Sequence, residues 1–235
     1  MDIYAIGDLH LSRSVNKPMD VFGEHWANHW DRICTDWKER VRDSDCVLIP
    51  GDISWAMTLE QAKPDIEEIG QMPGRKILLK GNHDYWWSSL TKVRNILPES
   101  MDALQNNSYQ IDGITICGTR GWLCPNGSME DHDRKIYERE VQRLKLSLES
   151  SKEKGNDIIV MMHFPPFNEK REVSAFVELF HAYGVKKVLY GHLHGESLKN
   201  AFEGIWQGIE YHQVSCDHLD FKLKLIYRKR ADDTF

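Results

Sequence analysis

Cys46-Val47-Leu48-Ile49-Pro50-Gly51-Asp52 decides how the chain is read, because an apolar run leads directly into a glycine and a carboxylate. The arrangement recurs along the sequence. Ile3 to Ile6 precedes Gly7-Asp8-Leu9-His10, Ile77 to Leu79 precedes Gly81-Asn82-His83-Asp84, Ile158 to Met162 precedes His163, and Val188 to Tyr190 precedes Gly191-His192-Leu193-His194. Short apolar runs of this kind read as buried strands. In open α/β sheets the crevice beyond the carboxyl ends of parallel strands binds ligands, so groups far apart in sequence can converge there.

Between these runs, Trp26, Trp30, Ile33, Trp37 and Val41 recur at helical spacing and predict a long amphipathic helix after Pro18. A second helix is expected over Leu59 to Gly70, with Pro64 limiting its start. Tyr109 to Ile111, Asp112-Gly113 and Ile114 to Cys117 have the form of a two-residue hairpin and suggest a second sheet. Gly118 to Gly127 reads as a loop, followed by a charged helix with Tyr137, Val141, Leu144 and Leu148 on one face. Val173 to Tyr183, stopped by Gly184, reads as a helix, and Phe221 to Tyr227 as a final antiparallel strand. The order fits two packed sheets with helices on both outer faces, in a single α/β domain over residues 1–235.

The 235 residues are 41% hydrophobic and 28% charged, as in ordinary globular chains, and the net charge of −6 offers no footprint for nucleic acid. Arg228-Lys229-Arg230 reads as a solvated chain end beside two aspartates. No apolar stretch approaches the ~18 residues of a membrane span, and a strand begins within two residues of the N-terminus, leaving no room for a signal peptide. Five cysteines, with no Cys-x-x-Cys pair, suit reduced thiols. The expected location is cytoplasmic, and the oligomeric state is left open.

Carboxylates and imidazoles suit first-row divalent metals, and a carboxylate such as Asp52 can bridge two of them. Phosphorus esters are the natural substrate of such a pair, since phosphoryl transfer depends on positioning and on neutralising oxygen charge.

The motifs resemble those of the calcineurin-like metallophosphoesterase superfamily: Asp-x-His, Gly-Asp, Gly-Asn-His-Asp/Glu, a lone His and Gly-His-x-His, here spanning residues 7 to 194. The resemblance implies a four-layer α/β/β/α sandwich of two mixed sheets. It also implies two divalent or mixed-valence ions of manganese, iron or zinc. Asp8, His10, Asp52 and His194 would hold one, and Asp52, Asn82, His163 and His192 the other. His83 would face the substrate and assist the leaving group, while a metal-bridging hydroxide attacks in line. One departure is informative. The protein phosphatase branch continues its second motif as Gly-Asp-x-Val-Asp-Arg-Gly, whereas this chain reads Gly51-Asp52-Ile53-Ser54-Trp55, so a phosphoprotein phosphatase is not expected.

Other residues carry two readings each. Asp84 either orients His83 or caps a turn. Arg120 either clamps a substrate phosphate or forms a salt bridge. Trp86, Trp87 and Trp122 either wall the pocket or pack in the core. His25 and His29 fit a solvated helix face, and His132, His181, His212 and His218 lack motif support. The expected function is hydrolysis of a small soluble phosphate mono- or diester. The rivals are a cyclic-nucleotide phosphodiesterase, a nuclease, a hydrolase of nucleotide-linked lipids and a non-catalytic scaffold for a partner protein.

Overall fold

Along the second strand, Val47 and Ile49 point to one side and Cys46 and Leu48 to the other, and all four are buried. A strand apolar on both faces has to be covered twice. The computed structural model, which describes residues 1–151 and 156–229, does this with four layers. In chain order the elements are β1 (Asp2–Ala5), α1 (His29–Arg40), β2 (Cys46–Pro50), α2 (Leu59–Gly70), β3 (Arg75–Leu79), α3 (Leu90–Arg94), β4 (Met101–Leu104), β5 (Tyr109–Ile111), β6 (Ile114–Thr119), α4 (Asp131–Glu149), β7 (Asp157–Met162), α5 (Ala175–Tyr183), β8 (Val185–Tyr190), β9 (Gly204–Trp206), β10 (Ile209–Gln213) and β11 (Lys224–Arg228).

One sheet has the order β11-β1-β2-β3-β4 and the other β5-β6-β7-β8-β10-β9. Both are mixed. The neighbours β1 to β4 run parallel, with β11 antiparallel along β1. In the second sheet β6, β7, β8 and β10 are parallel, and β5 and β9 close the edges antiparallel.

Inward-facing Ile3, Leu48 and Ile77 of the first sheet meet Ile116, Ile159 and Met161 of the second. On the outer side of the first sheet, Val47, Ile49 and Leu78 pack against Trp30, Ile33 and Trp37 of α1 and Ile66 of α2. On the outer side of the second, Val160 and Val188 pack against Leu144 of α4 and Phe176 and Phe180 of α5. This is the α/β/β/α sandwich. Trp37 is fully buried, so its truncation to alanine would cost roughly 3–5 kcal/mol.

Several local expectations are corrected. The helix after Pro18 starts only at His29; the preceding stretch forms two 3-10 turns, Met19–Phe22 and Glu24–Trp26. Gly23 at φ 132° and Asn28 at φ 51° break the helical path, yet Trp26 remains buried. Pro64 does not limit α2: Thr58 caps it by accepting from the Gln61 amide, and the proline sits inside the helix. The strands β4, β9 and β10 and the short α3 were not expected. The hairpin at Asp112-Gly113 does form, with positive φ at both residues (49° and 83°), the requirement of a type I′ turn.

No helix among the described residues is long and apolar enough to cross a membrane. Arg228 pairs with Asp2 and Lys229 with Asp112, while Arg230 and the aspartates after it lie outside the described residues.

Candidate metal and active site

The segments that leave β1, β2, β3, β7 and β8 at their carboxyl ends meet in one place. Backbone hydrogen bonds continue the sheet into the first two: Asp8 N–H donates to Gly51 O (2.9 Å), His10 N–H to Asp52 O (2.9 Å) and Leu11 N–H to Ile53 O (3.0 Å). Asp8, His10, Asp52 and His192 are held at positive φ (58°, 48°, 51° and 72°). That conformation costs about 1–2 kcal/mol for a residue with a side chain, and it persists where the surroundings impose it. Gly81 and Gly191 allow the close approach: a Cβ on the first would lie 2.1 Å from Asp52 Oδ1, and one on the second 2.2 Å from Asp8 Oδ2.

The ring nitrogens are assigned by their outer partners. His163 Nδ1 lies 3.1 Å from Pro50 O, which only an N–H can satisfy, so its Nε2 presents a bare lone pair. That Nε2 faces other acceptors, Asn82 Oδ1 at 2.6 Å and Asp52 Oδ2 at 3.5 Å. His192 Nδ1 approaches the same Asn82 oxygen at 2.9 Å. His194 Nδ1 donates to Asp217 Oδ1 (2.8 Å), which turns its Nε2 toward Asp8 Oδ1 at 3.3 Å. His10 Nε2 is 3.8 Å from Asp52 Oδ2, so this one carboxylate oxygen lies between the His10 side and the His163 side.

Lone pairs aimed at one another call for a cation between them. His10 Nδ1 is buried with no hydrogen-bond partner, and His194 Nε2 faces the Asp8 carboxylate, whose charge with that of Asp217 raises this imidazole to about 10, so a metal bound at Nε2 displaces a proton. Burial, and then the charge of Asp8, pushes Asp52 up to about 8. Burial holds His10 and His163 below the usual imidazole range and, with help from His163, takes His192 down to about 3, so these rings are neutral at pH 7. The sets Asp8-His10-His194 and Asp8-Asp52-His163 each bring their ligand atoms within 4.8 Å of one another, and either could hold a metal ion. The donor chemistry fits the metals expected of the motifs.

The amide of His83 donates to Asp52 Oδ1 (2.8 Å), which fixes its backbone to that carboxylate, while its ring lines the cleft. Burial and the nearby His163 lower its pKa. Asp84 is fully buried; its Oδ1 accepts from the amides of Ile53 (2.9 Å) and Ser54 (3.2 Å) and from Trp86 Nε1 (3.0 Å), and its Oδ2 accepts from Gly81 N–H (2.7 Å). It thereby ties the segment after β2 to the segment after β3, and the His83 ring is not among these partners.

The model of the calcineurin-like phosphoesterase family matches residues 1–196. The chain belongs to this family. It is thus a relative of metal-dependent phosphoester hydrolases, and the Asp and His clusters lie where the family's motifs fall. No curated protein matches the sequence. Among solved structures it is similar to AQ665 from Aquifex aeolicus, a protein of unknown function, with 14% identity, 95% of each chain covered and a TM-score of 0.50. It is also similar to TT1561 of Thermus thermophilus, with 13% identity, 95% of this chain and 96% of that one covered, and a TM-score of 0.55. At these identities the likeness concerns the fold.

A cleft of about 340 Å³ opens over the site. His10, Asp52, His83, His192 and His194 form its polar floor, and Met19, Phe22, Trp26 and Trp55 its apolar wall. Met19, Phe22 and Trp26 were not expected in this wall, and two tryptophans that were, Trp86 and Trp87, are 1% and 3% exposed and belong to the core. Trp122 donates its indole N–H to Asp133 (3.2 Å) and packs on Phe164. His25 lines the cleft rim instead of a helix face, and His29 Nε2 lies 2.9 Å from Leu9 O. Arg120 lies outside the cleft lining, with its guanidinium 3.5 Å from Glu140 and stacked over Trp122 at 4.6 Å. Asp217 was also missed, since nothing around Cys216-Asp217-His218 resembles a motif; the position of Trp55, three residues after Asp52, was the visible signal for the wall.

Proposed function

We propose that the chain is a binuclear metal-dependent phosphoesterase that hydrolyses a small phosphate mono- or diester. The observation that carries this reading is the convergence of buried, unprotonated ring nitrogens and acceptor oxygens around Asp52 Oδ2. Asp8, His10, Asp52 and His194 would hold one ion and Asp52, Asn82, His163 and His192 the other, with manganese, iron and zinc all suited to this donor set. When bound, such a pair neutralises phosphate oxygens and supplies hydroxide at neutral pH.

The chain's own residues do the rest. Asp217 holds the proton on His194 Nδ1 and so keeps its Nε2 available. His83, neutral at pH 7, presents an N–H from the cleft floor to an oxygen of the ester and stabilises charge as the leaving group departs. Trp55 takes over the orienting role of the phosphatase-branch aspartate: its ring packs against His83 at 4.7 Å and stacks on His10 at 4.7 Å. Asp84 supports His83 through the backbone.

The wall of Met19, Phe22, Trp26 and Trp55 favours esters whose organic group is apolar or aromatic. The net charge of −6 argues against a nuclease. Five free thiols support a cytoplasmic setting, and one domain over residues 1–235 is part of the same reading. A non-catalytic scaffold has less support, because His83 still faces the cleft.

The test compares an aryl phosphate monoester with the corresponding diester, using metal-stripped full chain reconstituted with manganese. Hydrolysis that requires metal and is lost in Asp52→Asn and His83→Ala supports the reading, and the ratio of the two rates selects the ester class. No turnover of either ester by the reconstituted protein would count against it.

A further inference from the structure

A second concavity, of about 190 Å³, lies apart from the cleft and is lined by Lys80, Thr119, Arg120, Arg139, Glu140 and Arg143 among others. Its centre is an acid. Glu140 is fully buried on α4 and accepts from Thr119 Oγ1 (2.7 Å) and Arg143 (2.8 Å), with Arg120 at 3.5 Å and Arg139 at 3.8 Å. A buried carboxylate needs one cation for neutrality. Here three guanidiniums surround it and Lys80 adds a fourth positive charge, in a chain whose net charge is −6. Cations held this close, partly out of water, repel one another, and packing Glu140 alone does not account for the excess.

The guanidinium of Arg120 strengthens the point. Its side chain is 16% exposed, and its Nε is buried with no hydrogen-bond partner. An N–H left this way costs free energy, so Glu140 and Trp122 do not fully satisfy this guanidinium. The cavity admits a tetrahedral oxyanion. Guanidinium forks match the oxygens of such an ion in geometry as well as in charge.

We propose that this pocket is an anion site that binds a small multiply charged oxyanion of the phosphate type, separately from the metal centre. The occupant has two sources with the same chemistry, a second phosphate group carried by the substrate or a free ion in solution. The backbone places the pocket beside the cleft: Arg120 O accepts from the amides of His163 (3.1 Å) and Phe164 (2.9 Å), and Lys80 immediately precedes Gly81-Asn82. The site itself does not depend on the hydrolase reading, and only the first of the two sources rests on it.

Inorganic phosphate is titrated calorimetrically at low ionic strength into the full metal-loaded chain, Asp52→Asn, Arg139→Ala and Arg143→Gln. Wild type should bind at two sites, and Asp52→Asn should keep one of them. Each arginine variant should weaken that retained event about tenfold, the effect of losing one charge-assisted contact. Arg139 is 55% exposed, so Arg139→Ala carries the test should Arg143→Gln fail to fold. Identical titrations for Arg139→Ala and wild type would overturn the proposal, as would no binding to Asp52→Asn. The source is then read from kinetics. An increase in KM for Arg139→Ala confined to an aryl phosphate bearing a second phosphate identifies the substrate's own group. A sulfate-dependent change in KM for all esters, lost in Arg139→Ala, identifies a free ion. The phosphate titration needs no turnover, so its failure is distinguishable from failure of the hydrolase reading.

Discussion

The indole of Trp55 lies 4.7 Å from the imidazole of His83, centroid to centroid, with the planes tilted by 51°. Its own N–H donates to Met19 Sδ at 3.3 Å, so its hold on His83 is one of packing. A carboxylate at this place would favour protonation of the imidazole; an indole leaves it neutral. Trp55→Ala should therefore lower kcat by roughly tenfold to a hundredfold through loss of orientation, with metal content unchanged. Steady-state kinetics beside elemental analysis checks this, and an unchanged kcat would remove Trp55 from the account.

His194 is held through Asp217. Replacing the carboxylate by an amide takes away the charge that fixes the ring's proton on Nδ1. Asp217→Asn should weaken metal binding by about 10–100-fold while the fold persists. Competition titration against a chromophoric chelator measures it; an unchanged affinity would mean that Asp217 does not tune His194 as a ligand.

Metal removal should reverse the pH dependence of stability. In the metal-free chain, burial and Asp8 put Asp52 at about 8, against an ordinary value of 3.8. His194, despite burial, is raised by Asp8 and Asp217 to about 10, against 6.5. Both folded values are raised, so the folded chain holds more protons than the unfolded one, and stability falls as pH rises through these ranges. The buried His10, His163 and His192 are shifted below 6.5, and their opposing contribution is complete only about one pH unit above that value, once the unfolded imidazoles have lost their protons. From about pH 7.5 upward the metal-free protein should lose stability to urea. The loaded protein should hold or gain, because binding needs deprotonated ligands. Parallel slopes with and without chelator would contradict this.

Gly81 has no room for a side chain, since a Cβ would lie 2.1 Å from Asp52 Oδ1 and 2.2 Å from Asp52 N. Gly81→Ala should displace Asp52 and abolish metal binding and activity together, while circular dichroism still reports the sandwich. Retained metal binding would mean that the segment after β3 can yield.

The ends of β1, β2, β3, β7 and β8 were legible in the sequence because each pairs an apolar run with polar residues whose types serve no core. Asp112-Gly113 was legible because few residue pairs accept positive φ twice. The path before His29 was not: Trp26 packs with Trp30, Ile33 and Trp37, so helical spacing continues although Gly23 and Asn28 break the helix. Met101-Asp102-Ala103-Leu104 is too short and too weakly patterned to announce β4, whose pairing with β3 supplies the order. Asp217 escaped for another reason. Its role exists only once the fold brings it to His194, 23 positions earlier.

The central claim is that one buried cage, centred on Asp52, holds two metal ions. The most direct measurement is the metal content of the purified full chain by elemental analysis, for wild type and Asp52→Asn after loading with manganese and removal of free ion. The account predicts two ions per chain in wild type and at most one in the variant. Equal content in the two proteins, or no retained metal in wild type, would contradict it.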